Sequence, residues 1–405
     1  MTIAQRDDLM SKILISGAGI AGLCFARQLK KHGIAYTIIE KKSTLDATGA
    51  GIALPANAVR ALRYMGFAEL VDKMHQVKNI IYSCSNGRVL SQASLLTEPL
   101  NLDKFVALDR TELLGILKHD IEDDIHFNVT ITDIKQSDAG VDVVFSNPAL
   151  NGHYQAVIGA DGIYSTVRDL GFGQSDLVDL GVTNWRWVCE YPTKNVQPTY
   201  MLGMKNMFLA YPIGANHIYC YAHQSDVANQ YHHVDEASVN LRQLFASYKG
   251  IAEPLLKMLP ESNHIYTGRL RSVPTPVFSH RYLALIGDAG NACSPMLQQG
   301  AACAFEDAIV LSELLANFSV KEALENYRTQ RQQRVNWIVK TSDESIKSFI
   351  KMNSRFSVMV RNLFIKKKGP LNVLGWKHLL ANCPLENLST FIQSNATNRS
   401  IKDQL

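Results

Sequence analysis

No C-x-x-C pair occurs among the seven cysteines, Cys24, Cys84, Cys189, Cys220, Cys293, Cys303 and Cys383. A structural zinc site or a redox dithiol needs that kind of spacing, and an odd count leaves a thiol outside any disulfide framework. Reduced, mostly buried thiols in a cytoplasmic protein are expected, with no metal site. His232-His233 stands in a polar loop without companion ligands and does not alter that. No apolar run is long enough to span a bilayer, and nothing before Lys12 has the charged and apolar regions of a signal peptide. Stable membrane insertion is therefore not expected. Charge of one sign is also missing: 41 Lys and Arg stand against 37 Asp and Glu, a net charge of +4, and the basic residues are dispersed. Nucleic-acid binding requires a basic stripe or patch, so none is expected. Internal repeats and low-complexity tracts are absent too. What remains is an ordinary globular composition in 405 residues, too long for one ordinary core and suggesting two or three domains.

The stretch that organises the rest spans residues 12–42, KILISGAGIAGLCFARQLKKHGIAYTIIEKK. A short β-branched run precedes Gly17, Gly19 and Gly22 at G-x-G-x-x-G spacing, and Leu23, Phe25, Ala26 and Leu29 then recur with helical period. That is a strand, a tight turn and a helix. A second apolar strand ends on Glu40, about twenty residues past the glycines, where a dinucleotide fold places its acidic residue. Gly17 permits the turn, Gly19 lets the backbone approach a pyrophosphate, and Gly22 lets the helix lie close to the sheet. The helix amides and dipole face the phosphates. Glu40 can accept from ribose hydroxyls and repels a 2′-phosphate, so the nucleotide held here is FAD or NAD, not NADP.

Two later stretches repeat the pattern of a strand delivering an acidic residue to a turn. Residues 154–158 run into Gly159-Ala160-Asp161-Gly162, with Ser165 capping a helix that carries Arg168. A carboxylate, flexible backbone and a cation beside a helix start suit a phosphate or ribose, although an ordinary strand-to-helix turn reads the same way. Residues 282–286 lead to Gly287-Asp288, then a loop with Pro295 and Gly300, then a helix with Glu306 and Asp307 near its start. Between these lie other signals. Asn57 opens a short amphipathic helix over 57–65, Asn86-Gly87 marks a hairpin, and Asp109 can cap a helix over 110–121. Residues 125–134 and 141–145 read as strands of a meander. From 177 to 265 alternating aromatic and polar residues suggest an antiparallel sheet with a helix near 236–248. Helices are expected over 321–345, 348–365 and 371–392. The fold class is α/β: a Rossmann-like dinucleotide domain with an inserted antiparallel-sheet domain and C-terminal helices. Its segments are 1–75, 101–175 and 276–345 for the first, 76–100 and 176–275 for the second, and 346–405 for the helices.

With the three motifs in this order, the chain resembles the class A flavoprotein monooxygenases, aromatic hydroxylases of the para-hydroxybenzoate hydroxylase type, over residues 12–336. Gly49-Ala50-Gly51-Ile52, Asn184-Trp185-Arg186 and Gln299-Gly300-Ala301-Ala302 look most like the salicylate, 6-hydroxynicotinate and urate hydroxylase branch. The resemblance implies FAD as cofactor, with Gly17, Gly19, Ile20, Ala21 and Gly22 at the pyrophosphate and Glu40 with Lys41 at the adenosine ribose. It places Arg110 at the phosphate and ribityl region, Asp288 beside Gly287 at the ribityl chain, and Pro295, Gly300 and the adjacent Ala301 around the isoalloxazine, with Gly51 and Ile52 also binding the cofactor. Asp161 would serve both FAD and the pyridine nucleotide. Departures are Asn291 where relatives carry His, Gln298 where they carry Gly or Ala, and Ala302 where many carry Asn. Met207 replaces an arginine of the urate branch and cannot pair an anionic purine, which argues against urate, whereas Tyr219 keeps that branch's tyrosine.

The implied reaction is reduction of FAD by NADH or NADPH, addition of O₂ to give a flavin hydroperoxide, and transfer of one oxygen to an electron-rich ring. No second G-x-G-x-x-G exists, which fits a transient hydride donor rather than a second stable nucleotide site. The substrate chamber should be apolar with few polar groups, and Met207, Tyr211, Tyr219, Tyr221 and Gln298 supply its expected lining. Tyr219, Arg186 and Pro295 are the candidate catalytic residues, and His223 is a candidate base. Trp185-Arg186-Trp187 invites a halogenase reading, but Cys189-Glu190 follows where that group has Ile-Pro. An antibiotic-inactivating flavin hydroxylase and a flavin-binding protein without turnover are the alternatives. A monomer or a homodimer is expected, with a small molecule, O₂ and NAD(P)H as partners.

Overall fold

The computed structural model describes residues 12–45, 51–173 and 177–402, so Gly49 and Ala50 lie outside the described residues. Its first layer is a mainly parallel sheet in the order Ser279–His280, Leu283–Leu285, Ala156–Gly159, Ile13–Ser16, Tyr36–Glu40, Ile125–Phe127. All neighbours run parallel except Ser279–His280 at one edge. The strands delivering the three motifs are adjacent, which brings three distant stretches of sequence to one edge of the sheet. Helix α1 (Ile20–Lys31) packs on this sheet through Leu23, Phe25 and Leu29, all fully buried. Its approach depends on Gly22: a Cβ there would fall 1.8 Å from the Gly17 carbonyl oxygen. Gly17 takes φ +103°, open to glycine but not to side-chain-bearing residues.

The second large sheet runs Tyr266–Ser272, Val178–Glu190, His217–Ser225, Asn206–Pro212, Thr199–Leu202, Asn79–Cys84, Val89–Ser94. Its pairs are antiparallel apart from Thr199–Leu202 with Asn79–Cys84. Alternation along the strands sorts side chains by face, as period two requires. Trp185, Trp187, Phe208 and Cys220 point outward beneath helices Ala237–Leu244 and Ala252–Lys257. Arg186, Met207, Leu209, Tyr219 and Tyr221 point the other way, toward the dinucleotide sheet. The tryptophans of the W-x-W element are therefore packing residues on the far side of the sheet.

Several boundaries differ from those expected. Residues 125–127 leave the meander and complete the parallel sheet, while Ile131–Gln136, Val141–Phe145 and Gly152–Tyr154 form a separate three-stranded sheet. The helix α2 (Ala56–Tyr64) and the hairpin at Gly87 fall where expected. Asp109 caps Arg110–Lys118 by accepting from Thr111 N at 2.7 Å, and the helix stops at Lys118. The carboxyl-terminal part is five helices: α3 (Gly300–Asn317), α4 (Val320–Ile350), α5 (Arg355–Lys368), α6 (Leu371–Ala381) and Pro384–Lys402, the last two replacing the one helix expected over 371–392. The stretch expected as two helices over 321–365 breaks at residues 351–354 rather than 346–347. Among the described residues no helix is long and apolar enough to cross a membrane.

Candidate active site

A cleft of about 580 Å³ opens where the motif-bearing edge of the parallel sheet faces the inner side of the second sheet. One end is backbone and helix starts, contributed by Gly19, Ile20, Ala21, Ala160, Gly162, Asp288, Gly300 and Ala301. The first turn of α1 follows Gly19, that of α3 follows Gln299, and neither has a side-chain cap. Their first amides are thus available to an acceptor. Nothing lies within 4 Å of where a Cβ at Gly19 would stand. Glu40 accepts from Ala18 N and Lys42 N at 3.0 Å each, which fixes its carboxylate beside the glycine turn with lone pairs to spare. Arg110 reaches the cleft with its buried Nε unpartnered, and burial works to lower its pKa. Asp288 opens into the cleft near the start of α3, where the surrounding protein raises its pKa against the pull of Arg110 and Arg186.

These groups fit FAD: two open helix amino termini for electron-rich oxygens, carboxylates for hydroxyls, an unpartnered guanidinium for phosphate, and a groove that no side chain fills. Gly17, Gly22, Glu40, Lys41, Asp161 and Gly287 do not line the cleft; Gly17 and Gly22 act through the turn, Glu40 stands behind it on Ala18 N, and Gly287 acts through the backbone ahead of Asp288.

The other end is formed by Tyr82, Tyr200, Leu202, Met207, Tyr219 and Tyr221 with Pro295 and Gln298. Tyr219 is 8% exposed and its hydroxyl makes no hydrogen bond among the described residues. Burial raises its pKa, with Arg186 and Arg110 opposing, so the hydroxyl is a donor at neutral pH. Arg186 donates to Asn184 Oδ1 at 3.1 Å and lies over the rings of Tyr221 and Tyr266 at 5.8 and 5.3 Å. Burial disfavours its charge, but Tyr219, Tyr221, Tyr266 and Asp288 together raise its pKa. No carboxylate pairs with it among the described residues. Gln298, in the left-handed region at φ 55°, turns its side chain to Tyr200, whose hydroxyl donates to Oε1 at 3.1 Å and meets Tyr211 Oη at 2.8 Å. Tyr82 stacks on Tyr200 with centroids 4.4 Å apart.

Residues 10–342 match the family described as FAD binding domain. The chain belongs to this FAD-binding-domain family. It is 29% identical over 363 residues to the 2-heptyl-3-hydroxy-4(1H)-quinolone synthase of Pseudomonas aeruginosa, covering 87% of this chain and 93% of that protein. It is 28% identical over 373 residues to a flavin-dependent monooxygenase of Legionella longbeachae, covering 88% and 90%. The fold matches Klebsiella pneumoniae HpxO, solved with FAD and uric acid, at TM-score 0.83 and 22% identity, covering 92% of this chain and 96% of that one. This member of the family is an FAD-dependent monooxygenase.

Within this FAD-binding fold, some residues sit elsewhere than the sequence suggested. Tyr211 is fully buried behind Tyr200 and does not line the chamber. His223 is also fully buried, its Nδ1 3.2 Å from Tyr221 Oη and its ring against Phe349; burial lowers its pKa to about 3, so it stays neutral and out of reach as a base. Arg168 turns inward, donating to Ala289 O at 2.5 Å and Ile163 O at 2.6 Å, and offers nothing to a phosphate. Asp161 accepts from Thr166 N at 2.8 Å and Val167 N at 3.2 Å, capping its helix, with Oδ1 left unpartnered. Glu306 and Asp307 lie well inside α3 rather than at its start. They are buried against Arg331 and Arg334 of α4 at 2.7 to 2.8 Å, and Asn291 donates to Asp307 at 3.0 Å. Tyr82, Tyr200, Tyr266, Arg361 and Phe349 were not anticipated as lining.

Proposed function

We propose that the enzyme hydroxylates an electron-rich aromatic ring bearing an ionisable oxygen, using O₂ and a transiently bound NADH or NADPH. The observation carrying this reading is the pairing of an uncommitted hydroxyl, Tyr219, with a guanidinium that no carboxylate pairs, Arg186, in a chamber walled mainly by Tyr82, Tyr200, Leu202, Met207 and Leu209, where Gln298 is already held by Tyr200. Such a site has one polar corner to orient a planar apolar guest and little else to solvate it.

FAD, when bound, would carry the electrons from NAD(P)H that activate O₂, one atom of which goes to the substrate and the other to water. The chain's own groups do the rest. The open amides after Gly19, with Glu40, would hold the adenosine and pyrophosphate portion, and Arg110 and Asp288 the ribityl portion. Pro295 and the backbone at Gly300 and Ala301 would border the ring, and Gly51 and Ile52 would complete the cofactor site. Tyr219 donates to the substrate oxygen, and Arg186 lowers the cost of its ionised form, which enriches the ring in electron density. Water is excluded by the aromatic walls and by Phe349, Ile365 and Phe364 at the far side. The apolar side chains beyond the polar corner leave room for an alkyl substituent, in keeping with the 2-heptyl group in the name of the Pseudomonas relative.

A substrate panel under air tests the reading: phenols, hydroxylated N-heteroaromatics with and without alkyl tails, aromatic acids, and a tetracycline. Stimulated NAD(P)H consumption with a product heavier by one oxygen is expected for a phenolic or heteroaromatic member. Consumption stimulated only by the tetracycline, or by nothing, would remove the proposal.

A further inference from the structure

We propose that α5 and α6 dock this protein on an anionic phospholipid bilayer, with the mouth of the cleft turned to the lipid. Helix α5 presents Phe356, Met359, Val360, Leu363 and Phe364 at 69, 49, 49, 57 and 45% exposure. Their spacing of three and four residues puts them on one stripe of the helix. Leu371 and Leu374 of α6 extend the patch at 55 and 41%. Seven of the 21 large apolar side chains exposed among the described residues thus fall within residues 356–374. A soluble surface scatters such residues singly; a contiguous set marks something that covers it.

The charge around the patch identifies the cover. Between Glu344 and Glu386 there is no acidic residue, while Lys347, Lys351, Arg355, Arg361, Lys366, Lys367, Lys368 and Lys377 all fall there. Elsewhere the chain is nearly balanced, so the stretch that carries the patch is of one sign. The three consecutive lysines are exposed and occupy the last turn of α5, at the end of its apolar stripe. An apolar helix face bordered by lysine is what binds the headgroup region of an anionic membrane. Lysine is depleted in protein interfaces, and two copies meeting through this face would bring like charges together. At 14 residues α5 is too short to span and lies along the surface.

The patch is continuous with the cleft. Phe364 and Leu371 are exposed on the outside and also line the cleft, together with Arg361, Ile365 and Met352. Docking through this face places the opening at the lipid, where apolar molecules concentrate. Both helices lie past residue 342, outside the part of the chain matched to the FAD-binding family.

The test is co-sedimentation of the flavin-loaded full chain with vesicles of phosphatidylcholine, with and without phosphatidylglycerol. Binding is expected only with the anionic lipid and should weaken as salt is raised. The triple variant Lys366→Glu, Lys367→Glu, Lys368→Glu should lower the partition coefficient on the order of tenfold to a hundredfold. Phe356→Glu with Leu363→Glu, and Leu371→Glu at the mouth, should each do likewise, while Val227→Glu, on an exposed residue elsewhere, should bind as the parent does. Circular dichroism checks that each variant is folded. The proposal falls if the parent ignores anionic vesicles, if the lysine and apolar variants bind like the parent, or if sedimentation velocity shows instead a dimer that Leu363→Glu dissociates.

Discussion

A Cβ at residue 51 would lie 2.4 Å from Cγ of Tyr219, so the strand Gly51–Leu54 reaches this side of the chamber only because residue 51 has no side chain. Gly51→Ala must push either the strand or the tyrosine ring aside. Overpacking of that kind costs about 1–3 kcal/mol. Since Tyr219 is proposed to orient the substrate, Gly51→Ala should raise the substrate KM more than it lowers the melting temperature would suggest. Tyr219→Phe should raise KM similarly but leave the melting temperature near that of the parent. Steady-state kinetics and thermal melts on both variants separate the two effects.

The buried carboxylates of α3 carry a second prediction. Burial alone would raise the Glu306 carboxyl, but Arg334 and Arg331 pull it down to about 2. Arg331→Met leaves Asp307 without its guanidinium partner and Glu306 with one fewer, at fully buried positions. Breaking one side of a buried pair costs about 3–5 kcal/mol. Denaturant titration should show that loss, and the double change Arg331→Met, Asp307→Asn should recover part of it by removing the orphaned charge.

Acid stability has two windows, and their order is fixed by sign. His223 is neutral in the fold down to about pH 3, whereas an unfolded histidine takes up its proton near pH 6.5. The unfolded state therefore binds more protons in between, so stability is full above about pH 6.5 and falls by about 1.4 kcal/mol per unit as pH drops toward 3. The depressed Glu306 acts later: its contribution is present above the unfolded carboxylate value of about 4.3 and is lost as pH falls toward 2. Melting temperatures measured from pH 7 to pH 3 should already decline between 6.5 and 5, and His223→Gln should flatten that part of the curve alone.

What could be read in advance follows the range over which the residues interact. Local chemistry was legible: the glycine turn before α1, the cap at Asp109, the hairpin at Gly87 and the three strands that end in acidic residues each announce themselves within about ten residues. That these strands share one sheet was implied by the resemblance; Ile13–Ser16 in fact lies between Tyr36–Glu40 and Ala156–Gly159. Contacts between distant segments were not legible. Tyr82 comes to the chamber because Asn79–Cys84 pairs in parallel with Thr199–Leu202, and no local signal encodes that pairing. The sequence pattern at Arg168 suggested a phosphate contact and that at Glu306-Asp307 a helix start, but only three-dimensional neighbours show that Arg168 is spent on the protein's own carbonyls and the two carboxylates on its guanidinium groups. His223 and Tyr211 fail as site residues for one reason: alternation selects the correct face of a strand, yet the layer in front of them, Phe349 and Tyr200, comes from elsewhere in the chain.

Gln298 shows how a departure from the usual residue is accommodated, and the last prediction rests on it. The residue is held at φ 55° and ψ 40°, a conformation that costs most side-chain-bearing residues energy and glycine none. Its side chain offsets that by accepting from Tyr200, which in turn meets Tyr211. In Tyr200→Phe the Gln298 oxygen and the Tyr211 hydroxyl both lose their partner, and leaving buried polar groups unmet costs about 1–3 kcal/mol each. Gln298→Gly alone trades the lost hydrogen bond for relief of the backbone, so its net effect should be small. With both changes only Tyr211 remains unmet, and the loss should be less than the sum of the two single losses by about 0.5–3 kcal/mol. A double-mutant cycle by denaturant unfolding measures that coupling. Additive losses would mean that the hydrogen bond contributes nothing to holding the loop, and that Gln298 is retained at this position by the chamber it borders rather than by Tyr200.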